Sequence, residues 1–424
     1  MINSPLAKSL ESIIGREHVT VEPSLIIDGL KPALIIKPGS ASEVVECLAA
    51  CSDADRAVVP AGLMTWLESG NPLCRAEVVL SLERMTRIIE YSPPDLTAVV
   101  EAGLTIGEFN SAAGLENQWL PLDPPGASSA SLGAVAACAS SGPLRFGFGT
   151  PRDYVIGLRL GHASGIESKS GGKVVKNVAG YDMNKLYVGS HGTLAVITEL
   201  TVKLRPVPES DLTVLVASAD EASLREIGLN LLASEAQPAS LYFTRGISFD
   251  VGDAEGQSAL ITRFMDNEQA VRHQTNLLGQ LVGSRGIAIT LSGEEAGPVW
   301  KTIADSDRLS ANSLKLSVPL SKTASFLDKV SSELDGVIAA DLGTGIIRVV
   351  FDAPDRTVIE IVRRLRAEAV AAGGSLFVER AATAVRREAD AWGEVGATGA
   401  IMRAIKARFD PKSLLNPGRF VSGI

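Results

Sequence analysis

Aromatic residues make up only 5% of this 424-residue chain, and it carries four cysteines and four histidines. Cys47, Cys51, Cys74 and Cys138 contain no Cys-x-x-Cys pair, and His18, His162, His191 and His273 are scattered. A structural zinc or iron–sulfur site is therefore not expected, and reduced, buried thiols are. A basic excess is also missing. The net charge is −9 and no Lys/Arg run stands out, which excludes a general grip on phosphodiester backbones. No apolar stretch reaches about 18 residues without a charge or turn residue, so no membrane span is expected. Met1–Ile14 has no charged segment followed by an apolar one, so no secretory signal is expected and a cytoplasmic location is.

What is present is ordinary globular material, 46% hydrophobic and 21% charged, with 40 glycines. The length allows two or three domains. Residues 33–60 read as strand, helix, strand, with capping spacing at Ser40 and Glu43. Strands are predicted at Glu77–Leu82, Ile88–Tyr91 and Leu96–Glu101, and a helix over Thr105–Ala113. Leu132–Ala139 has helical spacing with small side chains, which lets a backbone or a flat ligand come close. Further strands are expected at Tyr154–Gly161, Gly172–Val175 and Leu194–Leu204, after which Pro206 and Pro208 mark a boundary. From 209 to about 372 strands and helices alternate as in an α+β unit. A strand at Leu376–Glu379 and a helix at Thr398–Phe409 follow, before the turn Asn416–Gly418.

Three loops read as ligand loops. Pro60–Thr65 ends a strand, and its Gly62 lets backbone N–H groups turn toward an anion. Pro121–Gly126 with Ser131–Ala134 runs into the small-residue helix, whose N-terminus is expected to offer free N–H groups to an anion. Gly171–Asp182 and Gly189–Thr198 put two glycine-rich turns around a short polar stretch that feeds a strand. Taken alone, the first loop is better explained as a plain turn, and a tightly packed helix explains the second equally well; the third has few purely structural reasons for so much glycine.

The segment Gly171–Pro206 resembles the FAD-binding domain of the vanillyl-alcohol-oxidase type, and within it the FAD-binding subunit of bacterial glycolate oxidase. The residues that carry the resemblance are Lys176-Asn-Val-Ala-Gly-Tyr-Asp182, Gly189-Ser-His-Gly-Thr-Leu194 and Val196-Ile-Thr198. Asp95–Thr97, Val100–Gly103, Gln118–Gly126, Gly149–Asp153, Phe409–Pro411 and Leu415–Arg419 support them. The resemblance implies an N-terminal segment at 1–24 and a two-part FAD-binding domain at 25–208, its subdomains near 25–90 and 95–206. It further implies an α+β substrate or cap domain at 209–375 and a C-terminal segment, 376–424, that returns to the FAD domain.

By the same resemblance, Pro60, Ala61, Gly62, Leu63, Met64 and Thr65 hold the pyrophosphate of a non-covalent FAD together with Ser131, Leu132 and Gly133. Ser140, Ser141 and Gly142 lie along the flavin, Val196 and Ile197 meet the adenine or ribose, and Asn416 and Arg419 close over the isoalloxazine side. Asp123 and Gly192 complete the cofactor set. The chain departs from the pattern where Leu63 and Met64 replace further glycines, because side chains there restrict positive φ and crowd a backbone-lined anion site. His191 sits in a structural motif and is not read as a flavin attachment point. No metal is implied.

Oxidation of a hydroxyacid by a flavin needs a base, a cation for the carboxylate, and the α-hydrogen facing the ring. Tyr242 is a candidate proton relay, and Arg263, Lys315 and Arg348, with Arg245 and Arg380, are candidate carboxylate binders. No base is evident, and His273 reads as a surface residue. Two functions follow. One is a flavin-bearing component of a 2-hydroxyacid oxidase or dehydrogenase, partnered by a catalytic flavoprotein and an iron–sulfur subunit. The other is a scaffold subunit of the same fold with weakened FAD binding.

Overall fold

The computed structural model describes residues 5–173, 181–249 and 258–424, and the motif stretch from Lys176 to Gly180 lies outside them. The chain is an α+β protein built on three main sheets. In the first, Leu34–Ile36, Val78–Ser81 and Val58–Ala61 run parallel, with Val19–Val21 antiparallel at one edge. Parallel strands of this kind are covered on both faces and read as unbroken apolar runs. The crossover helix Ala41–Asp53 starts where Ser40 accepts the Glu43 amide, while the Glu43 carboxylate accepts the Gly39 amide at 2.7 Å. An unforeseen helix, Pro5–Ile14, buries Ala7, Leu10 and Ile14 against it.

The second sheet is antiparallel, in the order Ile88–Ser92, Thr97–Glu101, Val196–Lys203, Val155–Gly161, Glu167–Gly171. Its last strand stands just ahead of the one expected at Gly172–Val175, a stretch that runs outside the described residues from Val174. The run Glu167-Ser-Lys-Ser-Gly171 is too polar to announce a strand, and pairing with Val155–Gly161 makes it one. Helix Ile106–Ala113 carries the expected capping box between Thr105 and Glu108. Leu132–Cys138 lies against Val196–Lys203.

Eight antiparallel strands form the third sheet, in the order Ile287–Ser292, Ser210–Ser218, Ser258–Asp266, Ser240–Arg245, Val337–Asp341, Ile346–Phe351, Asn312–Ser317, Ser375–Arg380. Alternation along each strand divides two faces. Val214, Val216, Leu260 and Val349 join the core under helices Glu221–Leu232, Glu268–Val282, Leu320–Glu333 and Asp355–Ala371. On the opposite face Leu215, Ile261 and Tyr242 meet Trp300 and Ile303 of helix Gly293–Ala304, where Trp300 Nε1 donates to Thr213 Oγ1 at 2.8 Å.

The C-terminal segment returns to the first sheet. Val58 N–H donates to the Leu414 carbonyl (2.8 Å) and Asn416 N–H to the Val58 carbonyl (3.0 Å). Buried Lys406 donates to Asp410 Oδ2 (2.7 Å), to the Leu415 carbonyl (2.9 Å) and to the Thr193 carbonyl (2.7 Å). The Asp410 carboxylate also accepts the Leu414 and Leu415 amides. These bonds give the Asp-Pro and Asn-Pro-Gly motifs a physical role: they tie the last turn to the Gly189–Leu194 turn.

Candidate functional site

A cleft of about 750 Å³, open to solvent, runs between the loop after Val58–Ala61, helix Leu132–Cys138 and the turn at Asn416–Arg419. Pro60, Ala61, Gly62, Leu63, Met64 and Thr65 form one wall; Gly133, Ala134, Ala137 and Cys138 form the facing one. Gly192, Val196 and Ile197 close one side, and Asn416 and Arg419 another. Trp66, Leu67, Ala102 and Ala195 also line it and were not foreseen, although Ala134, Ala137 and Cys138 share a helix face that spacing alone could have flagged.

The other expected cofactor residues stand elsewhere. Leu132 is buried in the core, and Ser131, packed against Gly62 rather than lining the cleft, accepts the Ala134 amide as N-cap. Ser140, Ser141, Gly142 and Asp123 lie beyond the helix, toward the third sheet. There the Asp123 carboxylate accepts the Leu144 amide, Gly142 abuts the Asp123 carbonyl and Ser141 Oγ accepts from Arg145 at 3.3 Å.

One expectation is corrected. The first amides of helix Leu132–Cys138 are not free. Leu132 and Gly133 donate to the Leu104 and Ala102 carbonyls (both 2.8 Å), and Ala134 donates to Ser131. Close packing of the helix start on the strand end uses these donors. The unpartnered donors sit across the cleft: among the described residues the amides of Leu63, Met64 and Thr65 find no acceptor. Three consecutive free N–H groups suit an anion such as a pyrophosphate. Met64 takes φ +59° and turns its side chain into the apolar cluster of Ile27, Val59 and Leu73, so the side chains at 63 and 64 coexist with a turned backbone. On the opposite side, the buried Asn416 Oδ1 has no donor, while its Nδ2 donates to the His191 carbonyl at 2.8 Å. Free amides, an orphaned acceptor and small-residue walls together fit FAD.

The Arg419 guanidinium is engaged by the protein itself. It donates to the Asn71 (2.7 Å) and Leu67 (2.5 Å) carbonyls and pairs with Asp28 at 2.9 Å. It holds the loop that carries the free amides. His191, at φ +52°, stacks on Phe420 and meets Trp392 edge-on at 4.7 Å. Burial, then Arg419 and Lys315, push its imidazole down to about 3, so it stands neutral at physiological pH. Trp392 lies on Phe377 at 4.3 Å, and Lys315 Nζ sits 5.3 Å from the Phe377 ring centre. The end of the cleft therefore adjoins the third sheet.

On that face the register aligns a polar row. Arg263 neighbours Ser240, Tyr242 pairs Asp341, and Arg348 pairs Lys315, itself opposite Phe377. The four sequence candidates thus share one face, but most of their charge is spoken for. Arg263 is held bidentately by Asp211 (2.9 and 2.6 Å), and Arg348 by Glu379 (2.6 and 3.1 Å). Lys315 stands 3.4 Å from the same Glu379. Burial raises the Glu379 carboxyl, yet Arg348 and Lys315 outweigh it and hold it at about 2. Arg245 donates to the Ser331 and Leu334 carbonyls, and Arg380 is exposed. The Tyr242 hydroxyl has no partner among the described residues, and burial followed by Asp341 pushes its phenol well above the usual range. Exposed His273 bonds Glu235.

Burial, opposed by the Leu144 amide and Arg263, pushes Asp123 up to about 7, and burial likewise pushes Asp341 up to about 6. A carboxyl raised in the fold binds more protons folded than unfolded between 3.8 and about 7, so its contribution to stability falls as pH rises through that window. His191 works the other way between about 3 and 6.5. The comparison of variants isolates the carboxyl: relative to Asp123→Asn, the wild type is expected to lose melting temperature steadily from pH 4 to about 7 and to run parallel above it. Parallel curves throughout would remove Asp123 from this role.

Residues 32–171 match the family described as "FAD binding domain", and residues 231–420 match "FAD linked oxidases, C-terminal domain". This chain is an FAD-linked oxidoreductase. It is 26% identical to the probable mitochondrial D-lactate dehydrogenase of Danio rerio over 92% of this chain and 84% of that protein. It is 28% identical to glycolate oxidase subunit GlcE of Escherichia coli (strain K12) over 78% of this chain and 84% of that one. The solved structure of p-cresol methylhydroxylase superposes with TM-score 0.73 at 16% identity, over 98% of this chain and 96% of its own, a likeness of fold. FAD is the oxidoreductase's cofactor, and no helix among its described residues is long and apolar enough to cross a membrane.

Proposed function

We propose that this oxidoreductase is the FAD-binding component of an enzyme that oxidises a short 2-hydroxyacid of the glycolate kind. In this reading residues 25–208 and 376–424 hold the cofactor, and 209–375 present the substrate-facing sheet. The relatives named for glycolate and D-lactate support the substrate class. The observation that carries the reading is the junction of His191, Trp392 and Phe377, which brings the end of the cleft against the polar row of the sheet. FAD bound in the cleft supplies the acceptor for the electrons and hydrogen leaving the carbinol carbon.

The chain's own residues do the rest. The amides of Leu63–Thr65 and Asn416 Oδ1 hold the cofactor without covalent attachment. Neutral His191 and Trp392 exclude water, and the sheet face orients the acid. The glycolate oxidase resemblance adds a catalytic flavoprotein and an iron–sulfur subunit as partners, in a cytoplasmic complex that meets a membrane only through them. A scaffold role is the second reading, favoured by Arg263 and Arg348 being held by carboxylates and by the scarcity of histidine in 209–375, where His273 bonds Glu235 at the surface.

The test is anaerobic mixing of the purified complex with glycolate or D-lactate while this chain's flavin absorbance is followed, with FAD released by denaturation counted per chain. Near-stoichiometric FAD and bleaching by one of the acids are expected. Bleaching confined to a partner's flavin moves the assignment to the scaffold reading, and no bleaching by either acid overturns the substrate class.

A further inference from the structure

Resting on that reading, we propose that Arg145, with the Tyr242 hydroxyl as a second donor, is the group that binds the substrate carboxylate. Arg145 opens the short helix Arg145–Phe148, reached from Cys138 of the cleft wall through the turn at Ser140–Gly142. That segment is clamped onto the third sheet from several sides. Ser240 Oγ donates to the Pro143 carbonyl (2.7 Å), Gly147 N–H to the Ala239 carbonyl (3.0 Å), and Leu144 N–H to Asp123 (2.9 Å). The Phe146 ring lies so close to Gly343 that a Cβ there would stand 2.5 Å from it. Arg145 is thereby held over the row that contains Tyr242 and Asp341, and its charge is felt by both groups.

The other cations of that row already have carboxylates. Arg145 has none within salt-bridge distance among the described residues, and its one side-chain bond is to Ser141 Oγ at 3.3 Å. A half-buried guanidinium with two nitrogens uncommitted is suited to fork onto a carboxylate, and the unpartnered Tyr242 hydroxyl, on the same strand face that Ser240 offers to this segment, supplies a neutral donor. The acid's carboxylate would then be fixed at the junction of cleft and sheet by two groups from different halves of the chain.

The probe is oxalate, a non-oxidisable dicarboxylate, titrated into the FAD-loaded complex while the flavin spectrum is followed; KM and kcat for the oxidised acid are measured in parallel. Arg145→Gln is expected to weaken oxalate binding and raise KM on the order of 100-fold, and Arg145→Lys, which keeps charge but loses the fork, on the order of 10-fold. Tyr242→Phe is expected to weaken oxalate binding about 5-fold. FAD content and melting temperature should stay near wild type in the lysine variant. Wild-type oxalate affinity in both Arg145 variants overturns the inference while leaving the hydroxyacid reading intact. A wild type that neither responds to oxalate nor is bleached by a 2-hydroxyacid overturns both. A purely structural Arg145 would show as lost melting temperature with unchanged oxalate affinity, which also overturns it.

Discussion

Replacing Asp28 with alanine is expected to lower the melting temperature by about 5 °C and to strip most of the protein of FAD. Asp28 is buried and receives two guanidiniums, Arg386 at 2.6 Å and Arg419 at 2.9 Å, together with the Leu73 amide at 3.1 Å. Both arginines are themselves buried. Removing the carboxylate leaves two positive charges side by side in a site closed to water, and breaking a buried pair in this way costs about 3–5 kcal/mol. The carbonyls of Glu68, Gly70, Leu67 and Asn71 still accept from the two arginines, which keeps the loss toward the lower end. The cofactor suffers because those same carbonyls belong to the chain that follows the Leu63–Thr65 amides. Freed of its clamp, the loop no longer holds three donors toward one point. Asp28→Asn keeps the shape and the tolerance for φ +53° but not the charge, and should fall between the two. Thermal unfolding and FAD content measured together decide it: a melting temperature within about 2 °C of wild type in the alanine variant would mean the triad is not what fastens the C-terminal segment.

The architecture was largely readable because its elements follow their local patterns. Helices Ile106–Ala113 and Thr398–Phe409 and strand Ser375–Arg380 begin and end within a residue of where apolar spacing and flanking residues put them. The failures have local causes. Val337-Ile-Ala-Ala-Asp341 is a central strand with few β-branched residues, made by its neighbours on both sides. Helix Gly293–Ala304 holds Pro298 and two glycines, and stands because its apolar face is buried under the sheet and Ser292 and Glu295 cap it.

The cleft was legible for a different reason. Loops that bring backbone to a ligand need small residues, and Gly62, Gly133 and Gly192 mark them. What escaped is everything decided by partners distant in the chain. That Arg386 meets Asp28, 358 residues away, or that Arg263 is neutralised by Asp211 while Arg145 has no carboxylate, depends on the fold and leaves no local signal. For the same reason the helix Leu132–Cys138 looked like the anion site. A helix start is one by default, and only its packing on Ala102 and Leu104 withdraws the donors.

The second large effect is expected from one methyl group. Gly62 sits where the turning loop passes closest to the facing helix, and a Cβ built on it lies 1.9 Å from Ser131 Oγ and 2.8 Å from Ser131 Cβ. Ser131 cannot yield by rotating its hydroxyl alone, since its Cβ is itself too near, and its Oγ caps the helix at Ala134. The loop has to move instead, carrying Leu63–Thr65 away from the cleft axis. Overpacking of this kind costs about 1–3 kcal/mol, which is roughly a 5- to 150-fold loss of FAD affinity if it falls on the bound state. Gly62→Ala should therefore purify pale and bind added FAD weakly. The double change Gly62→Ala with Ser131→Gly removes both clashing atoms, and glycine is an acceptable N-cap at a penalty of a few tenths of a kcal/mol. That protein should regain most of its flavin although Ser131→Gly alone gains nothing, a coupling that only direct contact explains. If Gly62→Ala binds FAD like wild type, or the double variant binds no better than the single one, the approach of loop to helix is not what sets the width of the cofactor cleft.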